Sequence, residues 1–155
     1  MARAHVQIQL RWGDQDAYGH VNNVTFARLL EEARVRTLWM GAADEPTGLE
    51  EHFSSNETSE QKMLVASQRI DYVRVLEYSE QPVVVEMWIG KVGGANLEIH
   101  CEIVDGAAPE RTVVARAVTV AVMVDAVTLR PARISEAGRA AVAGWMDEPV
   151  KLSRH

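Results

Sequence analysis

Residues 11–23 read Arg11-Trp12-Gly13-Asp14-Gln15-Asp16-Ala17-Tyr18-Gly19-His20-Val21-Asn22-Asn23. The stretch is rich in turn formers, has no hydrophobic period, and divides two segments of different periodicity. Before it, Val6, Ile8, Leu10 and Trp12 alternate with His5, Gln7, Gln9 and Arg11, the period of two expected of a half-buried strand. After it, from Val24, Phe26, Leu29, Leu30, Ala33 and Met40 recur at helical spacing, with Arg28, Glu31, Glu32, Arg34 and Arg36 on the other arc. Asn22 or Asn23 suits the N-cap, Glu32 and Arg36 stand four apart in the favourable order, and Gly41 is a natural stop.

Farther on, Gly41 to Gln61 reads as a long loop with at most an irregular turn. A succession of strands follows, at Met63–Val75, Pro82–Val92, Ala95–Val104 and Arg111–Val124. Gly93-Gly94 marks a tight hairpin, and Asp105-Gly106 opens a second, longer turn. The last strand is apolar on both faces from Ala117 onward, which predicts a central position with cover on each side. Ser135 is placed to cap a short helix through Met146. One long helix ahead of a meander predicts an α+β domain whose antiparallel sheet packs on that helix, and 155 residues suit a single domain spanning 1–155.

Apolar residues make up 47% of the chain, enough for a core, and the net charge of -6 argues against nucleic acid or anionic lipid as a partner. Cys101 is the only cysteine, so no intrachain disulfide can form; its apolar neighbours make it a buried hydrophobe rather than a nucleophile. With no apolar stretch approaching roughly 20 residues and no signal-like start, the expectation is a soluble cytoplasmic protein with no membrane partner. G-x-S-x-G, H-E-x-x-H, C-x-x-C and Walker A patterns are all absent. Asp14 to Gly19 begins like a calcium loop, but Tyr18 and Thr25 stand where oxygen donors are required.

The chemistry therefore falls to the 11–23 stretch. A helix N-terminus presents unpaired N–H groups and a positive dipole end, suited to holding the oxyanion that forms on an attacked carbonyl. A carboxylate in the preceding turn can attack that carbonyl or activate a water, and His20 can orient the water or donate to the leaving group. Aspartate and asparagine before a helix also serve as plain caps and turn formers.

Asp14-Gln15-Asp16-Ala17-Tyr18-Gly19-His20-Val21-Asn22-Asn23, with Phe26 and then Glu31-Glu32-Ala33-Arg34, resembles the 4-hydroxybenzoyl-CoA thioesterase-like hotdog family. That family's pattern is D-x-D-x-x-G-H-V-N-N, an aromatic three residues on, then E-x-A-R. The resemblance implies a hotdog fold, a long helix wrapped by a curved antiparallel sheet. It implies a homodimer or homotetramer with active sites between subunits, and an acyl-CoA or acyl-carrier-protein thioester as substrate. It places the catalytic carboxylate on Asp16, the oxyanion donors on the backbone around Asn22 and Asn23, and an assisting role on His20. Asp14 then falls to the turn, and Glu31 and Arg34 to helix packing or the dimer contact. H-V-N-N also resembles the plant-type acyl-ACP thioesterases, but Tyr18 occupies the place of their intervening Asn. No metal or organic cofactor is called for. Lys91, Arg69, Arg74 and Arg116 are the candidates for coenzyme A. A hotdog enoyl-thioester hydratase or dehydratase and a non-catalytic acyl-thioester-binding module are the alternative functions.

Overall fold

A computed structural model describes residues 2–154. Its elements are β1 (Ala4–Ile8), the long helix α1 (Asn23–Leu38), a short helix α2 (Glu50–Phe53), β2 (Gln61–Tyr72), β3 (Val83–Val92), β4 (Asn96–Val104), β5 (Val113–Asp125) and α3 (Glu136–Ala143). The five strands form one antiparallel sheet in the order β1-β3-β4-β5-β2. This is the α+β hotdog arrangement: a curved sheet around α1.

Register explains which residues line the core. Ala4, Met87, Cys101, Ala117 and Ile70 are paired in sequence across the strands and face α1. One residue along, Trp88, His100, Val118 and Arg69 form the corresponding row on the outer face. From α1, Phe26, Leu29, Leu30, Ala33 and Leu38 are buried against the inner face. The helix starts where Asn22 Oδ1 accepts from Val24 N–H at 2.9 Å. It ends before Gly41, whose φ of +62° an L side chain rarely adopts. Arg36 pairs with Glu32 at 3.3 Å.

Several expectations need adjusting. The first strand stops at Ile8, because Arg11 folds back onto Asp14 and turns residues 12–14 into a single 3-10 turn. Leu10 is buried, but Trp12 is 76% exposed, so it does not share the strand's inner face. Met40 likewise lies beyond the helix and is exposed. The 41–61 region contains α2, whose Phe53 is buried with neighbouring Leu49 in the core. The second strand ends at Tyr72 because Val73 and Arg74 both donate their N–H groups to Val114 O, which breaks the ladder. The last strand is interior to the sheet, but Val118, Val120 and Val122 on its outer face are only half-buried.

The outer face carries a polar layer. Glu86 and Glu102 lie side by side and are held by Arg3, Arg111 and, for Glu102, Arg116, at 3.0–3.2 Å. Across them runs the segment after α3. Trp88 Nε1 donates to Glu148 O at 2.8 Å, Val150 N–H donates to His100 Nδ1 at 3.0 Å, and Ser153 N–H donates to Asp71. The chain thus crosses the sheet from β3 to β2, covering ground that strand periodicity leaves unassigned.

Candidate functional site

Asp14 and Asp16 stand two residues apart and have separate environments. The Asp14 carboxylate is only 2% exposed. It accepts from Arg11 N–H at 2.8 Å, from the Arg11 guanidinium at 2.9 and 3.1 Å, and from Arg28 Nη2 at 3.1 Å to both oxygens. Burial alone would raise its pKa. The backbone donor and the guanidinium of Arg11, with the charge of Arg28, outweigh burial and hold it below the ordinary carboxylate value. Its backbone carbonyl also accepts from Asn22 N–H at 2.8 Å. Asp14 therefore ties the loop to the helix and has no oxygen left for chemistry.

Asp16 is half-buried and differently bonded. Its Oδ1 accepts from Tyr18 N–H at 2.8 Å and His20 N–H at 3.2 Å, and its N–H donates to His20 O at 2.7 Å. Gly19, at φ +78°, permits the tight reversal that brings His20 back alongside. No donor among the described residues pairs with Asp16 Oδ2. The loop is stitched to the chain after β2 by Val21 N–H donating to Leu76 O at 2.7 Å.

At the helix start the backbone donors divide cleanly. Asn22 N–H is taken by Asp14 O, Val24 N–H by the Asn22 side chain, and Thr25 N–H by Asn22 O. Among the described residues the Asn23 N–H has no acceptor, so of the Asn22 and Asn23 donors expected from sequence only the second is free. Asp16, His20 and Asn23 line one cleft of ≈ 400 Å³, walled by Phe26 of α1 and by Tyr72 to Leu76 at the end of β2. Phe26 and Tyr72 meet edge to face, 5.4 Å between ring centres. Tyr18, by contrast, is 85% exposed.

Of the four basic candidates, only Arg74 lines this cleft. Arg69 is bonded to Asp71 and to Ser153 O, Arg116 is bonded to Glu102, and Lys91 stands on β3 by the β3–β4 hairpin. Cys101 is buried on the inner face, and burial pushes its thiol up to about 12 despite the nearby Arg34 charge.

The sequence profile of the thioesterase-like superfamily matches residues 10–145, a span that includes the loop, α1 and all the strands after it. The chain belongs to the thioesterase-like superfamily. Thioester hydrolysis is the reaction class to which this membership assigns it. Among solved structures, a thioesterase from Thermus thermophilus complexed with coenzyme A and zinc is 26% identical, with 94% of this chain and 96% of that one covered, at a TM-score of 0.69. The PA5185 protein of Pseudomonas aeruginosa is 23% identical over 97% of this chain and 94% of its own, at a TM-score of 0.75. A DHNA-CoA thioesterase from Staphylococcus aureus shares the fold at 17% identity, with 93% and 91% covered, at a TM-score of 0.75. None of the curated proteins compared with this thioesterase-like chain matches it significantly. Among the described residues, no group of three or more His, Cys, Asp or Glu is arranged to hold a metal ion.

The acidic pair, the helix start and the turn role of Asp14 were visible in sequence; the two arginines that hold the Asp14 carboxylate were not. Arg11 and Arg28 are the missed residues. Arg28 lies five residues past Asn23, on the first turns of α1, and its position on the polar arc was the only available signal.

Proposed function

We propose that this chain hydrolyses an acyl-CoA thioester in the cleft lined by Asp16, His20 and Asn23. The observation that carries the reading is the pairing of two unsatisfied groups there: the Asp16 Oδ2 acceptor and the Asn23 N–H donor, facing one cleft at the positive end of α1. A thioester carbonyl with its oxygen at the Asn23 N–H would present its carbon to Asp16. The carboxylate either attacks that carbon or takes a proton from water that does. Carbonyl addition places negative charge on the oxygen, which the N–H and helix dipole stabilise. Collapse breaks the C–S bond and releases the thiolate, which takes up a proton with help from His20. Water supplies the hydroxyl of the free acid, directly or by opening an acyl-Asp16 anhydride.

Coenzyme A as carrier is supported by the complex named above for the Thermus relative, and by Arg74 at the cleft wall. A homodimer is supported by β2, a strand of 12 residues at the end of the sheet order, on which Leu64, Val65 and Tyr72 are exposed. An unpaired edge of that length and apolarity invites pairing with a second copy. Among the described residues no helix is long and apolar enough to cross a membrane, in keeping with a cytoplasmic single-domain enzyme.

The test is thiol release from short, medium, long and aromatic acyl-CoAs by the wild type and Asp16→Asn. Hydrolysis by the wild type, falling at least about 10²-fold in a folded Asp16→Asn, is expected. A folded Asp16→Asn that retains full turnover refutes the assignment of Asp16.

A further inference from the structure

The cleft at Asp16 is one of two cavities on the same seam between α1 and β2. The second, of ≈ 310 Å³, lies farther along the helix, where Val35, Leu38 and Trp39 face Met63 and Val65 of β2 and Ala121 of β5, with Glu31 and Arg34 at its wall. Helix and strand run in opposite directions along this seam. Asn23 and Phe26 stand by Tyr72, Arg34 stands by Gln68, and the last turn of α1 stands by Met63.

At the wall of the second cavity, which Arg34 lines, the seam is bridged. Arg34 Nη1 donates to Gln68 Oε1 at 3.0 Å, and the buried Thr119 donates its hydroxyl to the same oxygen at 2.8 Å. Gln68 is thereby pinned from below by the sheet and from above by the helix. Burial depresses the Arg34 pKa, against the opposing pull of the nearby Glu31 charge. The bridge is a polar crossing of the seam between helix and strand, with Gln68 itself exposed and Thr119 buried beneath it.

We propose that the Arg34–Gln68–Thr119 bridge is the chain-length stop of this enzyme: an acyl chain entering from Asp16 runs down the α1–β2 seam and ends at Gln68. This rests on the thioesterase reading above. From Asn23 to Arg34 the helix advances about 16 Å at 1.5 Å per residue, which fits a medium-length chain. A longer chain must displace Gln68 and leave the buried Thr119 hydroxyl without its acceptor. The cavity beyond stays unused by substrate while the bridge stands. Position 68 therefore sets specificity without touching the reacting atoms.

The experiment compares kcat/KM over saturated acyl-CoAs of increasing length for wild type, Gln68→Ala, Gln68→Glu and Arg34→Met, with Asp16→Asn as the inactive control. Gln68→Ala opens the seam, and the long-to-medium ratio of kcat/KM rises at least about tenfold. Gln68→Glu can still accept from Arg34 and Thr119 and keeps the wild-type profile. Arg34→Met lifts the stop from the helix side and serves if Gln68→Ala fails to fold. Folded variants whose length profiles all overlay the wild type overturn the stop while leaving thioester hydrolysis intact. A wild type that releases no thiol from any acyl-CoA sinks the hydrolase reading, and the stop with it.

Discussion

Asp14→Asn should unfold the molecule more readily without touching the cleft, and the structure allows the size of the effect to be worked out. The substitution keeps the shape of the side chain but removes the charge from an acceptor bonded to Arg11 N–H, the Arg11 guanidinium and Arg28. Hydrogen bonds to charged groups contribute ~1.5–3 kcal/mol each when shielded. The Arg11 side chain is 66% exposed and that of Arg28 35%, so water replaces much of what those two lose. The net cost is then about 2–3 kcal/mol, arising mainly from the buried carboxylate end. At the size of this chain, that lowers Tm by roughly 5–10 °C. Urea melts at fixed protein concentration give the same quantity from the shift in midpoint. The pH dependence is a second readout. The folded-state pKa of Asp14 lies below its ordinary 3.8, so its stabilisation is complete above about pH 4 and is lost as pH falls through the folded value. The gap between wild type and Asp14→Asn should be full at pH 7 and close in acid. Equal melting midpoints at pH 7, or a gap that persists unchanged in acid, would show that the Arg11–Asp14–Arg28 cluster does not hold the loop.

Two further outcomes follow from burial and exposure. In the native state Cys101 should resist alkylation and react only at the rate of global opening, since its thiol is buried and its pKa is pushed up to about 12; prompt labelling under native conditions would contradict the packing of β4. Sedimentation equilibrium should find a dimer, and Leu64→Lys on the β2 edge should weaken it at least about tenfold, because one aliphatic side chain buried at an interface contributes ~1.5–3 kcal/mol. A wild type that sediments as a monomer at micromolar concentration would refute pairing through that edge.

The strands β2 to β5 were legible as runs between turn signals such as Gly93-Gly94 and Asp105-Gly106, and the helix α1 from apolar residues recurring at helical spacing. The misplacements occurred where a polar contact overrode period. Trp12 continued the alternation of Val6, Ile8 and Leu10, yet Arg11 closing on Asp14 ended the strand four residues earlier. Val73 to Val75 looked like more strand, but a shared acceptor at Val114 O broke the ladder. The path of residues 147–153 was unreadable, since it is held by Trp88, His100 and Asp71, three side chains distant in sequence and brought into line only by the sheet. At the site, the order of acids, glycine, histidine and asparagines located the loop. The assignment of Asp14 to the turn was read from the motif, but the Arg28 contact that holds its carboxylate was not, because it joins residues fourteen apart.

That division within the loop bears on how such a protein can change over evolutionary time. The acid that anchors the loop is not the acid left with an open oxygen, so under the proposed reading a mutation at position 16 bears on the reaction while the Arg11–Asp14–Arg28 contacts stay in place. A lineage can try new chemistry on this scaffold at one position, provided that Asp14 and its two arginines stay in place.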